Sequence, residues 1–138
     1  MYARNLMPRL LDALADTPVV LIHGARQTGK STLAKRVIED GHPARYLSLD
    51  DASLFEAATG DPAGFISGLD GPVVIDEWQR APDIARVIKQ HVDADRQPGR
   101  FLLTGSASAL ALPELADALT GRMEIMTLWP LSQGEIEG

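Results

Sequence analysis

The chain of 138 residues contains no cysteine. That excludes both a disulfide framework and a thiolate metal site. Its histidines, His23, His42 and His91, are scattered, and no pair has the spacing of metal ligands. Aromatic residues make up only 5% of the chain, so its core is built mainly from aliphatic side chains. Positive charge is also scarce: Lys and Arg number 13 against 19 Asp and Glu, a formal net charge of −6. The pI near 4.9 follows from this balance. Tight nucleic-acid binding depends largely on neutralising phosphates, so the charge argues against a nucleic-acid partner for this domain alone. No apolar run approaches the roughly 20 residues that span a bilayer. The stretch from Tyr2 to Asp16 carries Asp12 and Asp16 and has no apolar signal core. These absences point to a cytoplasmic protein with no membrane partner.

Hydrophobic residues make up 45% of the chain and charged residues 23%, ordinary values for a globular protein. The length suits one domain over residues 1–138. Its first part, residues 1–17, contains an amphipathic helix, because Leu6, Leu10 and Leu14 fall on one stripe with Met7 and Leu11 beside it. Strand-like and helix-like segments then alternate. Val19–Ile22 is an apolar run, and residues 30–39 read as helix. Residues 45–49 read as strand, with helix around residues 53–58 and a further turn near Phe65. Residues 72–75 form the next strand. Over 83–94, Ile84, Val87, Ile88, His91 and Val92 share a helical face. Residues 101–104 are a strand, 114–119 a helix and 124–129 a last strand, with Gly and Pro at the joints. Unbroken Val, Ile and Leu strands alternating with helices indicate a parallel sheet covered on both faces, a doubly wound α/β domain.

The segment Gly24-Ala25-Arg26-Gln27-Thr28-Gly29-Lys30-Ser31 fits G-x-x-x-x-G-K-[ST] at every fixed position. It follows an apolar strand and opens a helix, the context the motif requires. Average residue frequencies give roughly a 0.5% chance of an accidental match in a chain of this length. Glycines let the loop curl so that successive N–H groups converge on phosphates, and the helix N-terminus adds partial positive charge. Lys30 is expected at the β- and γ-phosphates, and Ser31 at Mg²⁺, with Thr32 next to it in the binding segment. Further on, Val73-Val74-Ile75-Asp76-Glu77 is an apolar strand ending in two carboxylates. In a parallel sheet that end faces the same crevice as the phosphate loop. Asp76 is then placed to hold Mg²⁺, and Glu77 to polarise a water for attack on the γ-phosphate. The alternative is that both carboxylates cap the next helix. Thr104 and Ser106 close another strand, where one of them contacts the attacking water or a γ-phosphate oxygen, or both satisfy a local turn.

With these residues in hand, the chain resembles the AAA-type ATPases of bacteria and archaea (AAA_14 type) that carry a C-terminal domain of unknown function, DUF4143. The resemblance rests on residues 24–33, on Tyr46-Leu47-Ser48-Leu49-Asp50-Asp51, and on Ile75-Asp76-Glu77-Trp78-Gln79-Arg80-Ala81-Pro82. It continues through residues 102–108 and from Leu119-Thr120-Gly121-Arg122 to Glu135. It implies a P-loop NTPase fold, three layers α/β/α around a five-stranded, mainly parallel sheet, with another strand between those of the two motifs. It also implies ATP rather than GTP, since no guanine-reading Asn/Thr-Lys-x-Asp motif is visible. A self-associating enzyme follows, with Arg122 as a finger reaching a neighbour's γ-phosphate, against the alternative of a solvated arginine after a helix. Relatives continue into the DUF4143 domain beyond the stretch that ends here at Gly138.

Around the site, Asp50 and Asp51 read as helix caps or as Mg²⁺ or substrate contacts, and Arg26 as an outward loop position or a phosphate contact. Gln79 reads as a water-orienting or a structural residue, and Trp78 and Trp129 as packing residues. Three functions compete: an ATPase coupling hydrolysis to conformational change, a small-molecule P-loop kinase, and a nucleotide-binding switch or fragment without turnover.

Overall fold

The apolar runs become strands whose alternate side chains pack on opposite faces of one sheet. The computed structural model describes residues 2–24, 30–105 and 123–127. In chain order they form α1 (Tyr2–Asp16), β1 (Val19–His23), α2 (Lys30–Asp40), β2 (Arg45–Ser48), α3 (Ala52–Gly60) and α4 (Pro62–Ser67). Then come β3 (Val73–Asp76), a 3₁₀ turn (Trp78–Arg80), α5 (Ile84–Ala94), β4 (Phe101–Gly105) and β5 (Met123–Thr127). The strand order is β2-β3-β4-β1-β5, and every pairing is parallel. Strand β4 thus lies between β1 and β3, as the family resemblance implies.

The two-residue period of a strand explains the layers. Val19, Leu21, Val73, Ile75, Phe101 and Leu103 join one core, filled from outside by Ala58 of α3, Ile66 of α4 and Ile84, Ala85, Ile88 and Val92 of α5. Val20, Ile22, Val74, Leu102 and Met126 join the other, under Leu10, Ala13 and Leu14 of α1 and Leu33, Ala34 and Val37 of α2. Each such aliphatic side chain gains about 1.5–3 kcal/mol from full burial, so both faces are held by the same force. The result is a three-layer α/β/α domain. Among the described residues, no helix is long and apolar enough to cross a membrane.

Element boundaries shift slightly from the sequence expectation. Strand β3 starts at Val73 and includes Asp76, because Pro72 has no N–H for the ladder and Val73 donates instead to Arg100 O at 3.0 Å. Strand β2 ends at Ser48, although the Leu49 N–H still reaches Asp76 O at 3.0 Å. The turn near Phe65 is a separate helix, α4. Its N-cap Asp61 accepts from Gly64 N at 3.1 Å, and Pro62 occupies its first turn. The helix expected at 114–119 and the strand residues beyond Thr127, Trp129 included, lie outside the described residues.

Candidate active site

Strand parity and register assemble the site at the C-terminal edge of the sheet. Asp76 continues the parity of Val74, Thr104 that of Leu102, and Ile22 that of Val20, all on the face covered by α1 and α2. Register sets Ser48 beside Asp76 and Ile22 beside Thr104. Asp76 therefore lies two strand spacings, roughly 10 Å, from the strand that runs into the phosphate loop. That loop starts at Gly24, which is buried and whose N–H donates to Gly105 O at 3.2 Å, extending the β1–β4 ladder by one residue. Helix α2 then opens at Lys30, so the strand–loop–helix context of the motif is present. Ala25, Arg26, Gln27, Thr28 and Gly29 lie outside the described residues, as do Ser106 and Arg122. Lys30 and Ser31 form the first two positions of α2, and Thr32 is exposed.

Asp76 is 4% exposed, a depth at which an ionised carboxylate needs partners. Both of its oxygens have them: the Thr104 hydroxyl donates to Oδ1 and the Tyr46 hydroxyl to Oδ2. The ammonium of Lys35, on α2, stands 5.0 Å from the centre of the Tyr46 ring. Helix α2 thus leans over the row that holds Asp76, which puts the carboxylate beneath the helix that begins with Lys30 and Ser31. Asp76 is thus a buried carboxylate fixed by hydroxyl donors at the C-terminal edge of the sheet. Among the described residues no cluster of three or more His, Asp or Glu could hold an ion by itself.

Thr104 is fully buried and does two things at once. Its hydroxyl donates to Asp76, and its oxygen accepts the Glu77 N–H at 3.1 Å. From sequence this hydroxyl is a candidate for touching water or phosphate; in the structure it joins the two acidic residues. Glu77 adopts the left-handed region, φ 58 and ψ 47, at the start of the 3₁₀ turn. Its side chain makes no cap to that turn, so helix capping does not explain it. Gln79 donates from Nε2 to Glu77 Oε1 at 2.6 Å. Trp78 between them is fully buried, a packing residue as its type suggests.

The neighbouring acids separate cleanly. Asp51 is the N-cap of α3, its Oδ1 accepting from Ser53 N at 2.9 Å and Leu54 N at 3.1 Å. Asp50 pairs with Arg80 at 3.5 Å, an exposed contact of the weak surface kind. Tyr46 lies in one of the segments that carry the family resemblance, but nothing in that segment marks its hydroxyl for the site. Only the β2–β3 register brings its hydroxyl to Asp76, and a sequence cannot display register.

A family profile described as AAA domain matches residues 16–137. Uncharacterized proteins of Mycobacterium bovis and Mycobacterium tuberculosis are each 38% identical over 134 residues, covering 96% of this chain. The chain spans 30% of the length of these curated relatives. Among solved structures, it is similar to a Walker-type ATPase of Pyrococcus abyssi, with a TM-score of 0.58 and 14% identity over 93% of this chain and 53% of that one. It is also similar to the P-loop NTPase domain of the sigma-54 transport activator from E. coli, with a TM-score of 0.59 and 18% identity over 93% of this chain and 92% of that one. At those identities the likeness speaks for the fold alone, and the fold is that of a P-loop NTPase.

Proposed function

The chain belongs to the AAA domain family, with nucleotide-binding function of the ATPase type, and from that premise we propose that it hydrolyses ATP to ADP and phosphate. The observation that carries the reading is Asp76, buried at the C-terminal edge of β3 and joined through Thr104 to Glu77. ATP lies with its phosphates in the loop from Gly24 to Gly29 and at the N-terminus of α2, where N–H groups and the helix dipole favour anions. Lys30 contacts the β- and γ-phosphates. Ser31 and Asp76 are the residues that hold Mg²⁺, which supplies charge neutralisation at the phosphates. Glu77 accepts a proton from the attacking water, a base that suits hydrolysis rather than transfer to a bound alcohol. Thr104 keeps Asp76 and the Glu77 backbone in register, so that the two carboxylates act on the same phosphate.

Arg122 is the finger that a neighbouring copy receives at its γ-phosphate, which makes the active form a homo-oligomer that couples hydrolysis to conformational change. Residues 1–138 then form one AAA-type unit, with residues 1–17 as its N-terminal helical part. We propose further that a C-terminal domain of the DUF4143 type supplies the other contacts. The cytoplasm, where ATP and Mg²⁺ are plentiful, is its compartment.

The test is phosphate release from Mg-ATP at increasing protein concentration, for the wild type and for Glu77→Gln. Specific activity is expected to rise with concentration. Glu77→Gln should bind ATP with wild-type affinity and lose about 10²–10⁴ in rate, the usual contribution of a general base. A constant specific activity would remove Arg122 from the mechanism, and wild-type turnover in Glu77→Gln would remove Glu77. A flat trace with tight binding would replace hydrolysis by a binding-only switch.

A further inference from the structure

We propose that Gln79 is a positioning residue for hydrolysis: its carboxamide holds the Glu77 carboxylate in the orientation from which it takes up the water proton. The inference rests on the reading of Glu77 as the base. Gln79 Nε2 lies 2.6 Å from Glu77 Oε1. A carboxylate only accepts, so the amide must present its nitrogen, and the direction of this bond is set by chemistry. Glu77 is anchored through its backbone as well. The Glu77 N–H is held by Thr104 Oγ1 at 3.1 Å, and Arg80 N–H returns to Glu77 O at 3.1 Å. Between them Trp78, fully buried, pins the turn into the core, and the Ala81 N–H closes it on Trp78 O at 3.0 Å. With the Glu77 main chain held at both its N–H and its carbonyl, the Gln79 contact adds a restraint on the glutamate side chain.

Two features set this contact apart from an ordinary surface pair. Glu77 has a positive φ, a region that a side chain of its size rarely enters. Gln79 Oε1 is buried and has no hydrogen-bond partner among the described residues. Both are unfavourable, and unfavourable local arrangements persist at sites where the surroundings over-determine them for function. The left-handed turn directs residue 77 back toward residue 79, and the amide uses its donor on the carboxylate while leaving its own acceptor unmatched. A base with an unrestrained glutamate chain would spend much of its time misplaced, and displacements near 1 Å are enough to slow a reaction strongly. From sequence, Gln79 reads as a water-orienting or a structural residue; its geometry has it orient the base.

The experiment compares Gln79→Met and Gln79→Ala, each in the wild type and in the Glu77→Gln background, by ATP turnover, nucleotide affinity and melting temperature. Methionine keeps the length and bulk of glutamine but has no donor. Both variants are expected to lower kcat about tenfold while KM and Kd for ATP stay within about twofold, because geometry and not binding is lost. In the Glu77→Gln background neither should lower the residual single-turnover rate further, since the group being positioned is gone. Melting temperatures near that of the wild type separate this from loss of fold. Wild-type kcat in Gln79→Met would overturn the proposal, as would an equal fold-loss in the Glu77→Gln background. If Glu77→Gln abolishes turnover while Gln79→Met leaves it intact, only this proposal falls. A wild-type protein without turnover would overturn the reading of Glu77, and the proposal with it.

Discussion

The two ends of the sheet are made by the same strands and treat polar groups in opposite ways. Where the strands begin, side chains bind backbone carbonyls. The Arg100 guanidinium donates to Gly71 O and, at 2.7 Å, to Leu69 O, and the His42 ring lies 2.9 Å from Gly99 O. Where the strands finish, side chains bind one another as well, in the set Tyr46, Asp76 and Thr104 and in the Gln79–Glu77 pair. Among the described residues, positive φ divides the same way. At the first end it falls on Gly71 (φ 69) and Gly99 (φ 68), which adopt it without strain. At the second it falls on Glu77 (φ 58), where a side chain makes it cost roughly 1–2 kcal/mol.

Folding alone explains the first end. Arg100 closes off carbonyls that would otherwise go unpaired, and glycine relieves the turns. Burial draws the Arg100 pKa below its ordinary value, while Asp70 and Asp95 oppose the shift. An arginine stays charged throughout the accessible range, so this staple adds no pH dependence near neutrality. Folding alone does not explain the second end, where a buried carboxylate and a strained glutamate sit side by side. An aliphatic residue at 76 and a glycine at 77 would build a quieter strand end. Local rules broken without structural gain are the mark of a site.

Three substitutions would break or sharpen this contrast. The largest effect on stability belongs to Gly99→Ala at the strand-start end. Its Cβ would stand 2.5 Å from His42 Cε1 and 2.7 Å from Leu14 O, at a φ that alanine resists. A loss of about 3 kcal/mol is expected from overpacking and strain together, read by urea titration. Turnover per folded molecule should not change, and a change would erase the division between the two ends. Next is Thr104→Val, which keeps shape but leaves both Asp76 Oδ1 and the Glu77 N–H without the hydroxyl. About 2 kcal/mol of stability should go, the usual effect of stranding buried polar groups. Here turnover per folded molecule should fall as well, at unchanged nucleotide affinity, and full retained turnover would remove Thr104 from the site. The smallest is Glu77→Gly. Relief of the left-handed strain is offset in part by a freer unfolded chain, so stability should hold or rise by up to about 1 kcal/mol. Hydrolysis should be lost, and a clear destabilisation would mean that Glu77 serves the fold.

Much of the architecture is legible without coordinates. Apolar runs at Val19–Ile22, around Val73–Ile75 and at Phe101–Thr104 can be buried on both faces only in a covered parallel sheet, and the observed sheet is of that kind. The acidic strand end at Asp76 and Glu77 is legible for the same reason, since a strand's last residues emerge at the edge where βα loops gather. Helix ends follow local chemistry too, as Asp51 and Asp61 show by capping α3 and α4.

What only the tertiary structure decided is which side chains meet. Composition and spacing carry information along the chain, in periods of two and of nearly four residues, and the sequence by itself determined the elements, their class and the phosphate-loop motif. The reach of Tyr46 to Asp76 and the choice of Thr104 as the link between the Asp76 carboxylate and the Glu77 main chain depend on strand order and register. Those are fixed when two separate cores close on opposite faces at once, because a slip of one residue would turn each strand's side chains to the wrong face. The left-handed turn at Glu77 belongs with them: nothing in its residue type asks for that conformation, and the buried Trp78 and the hydroxyl of Thr104 help to hold it.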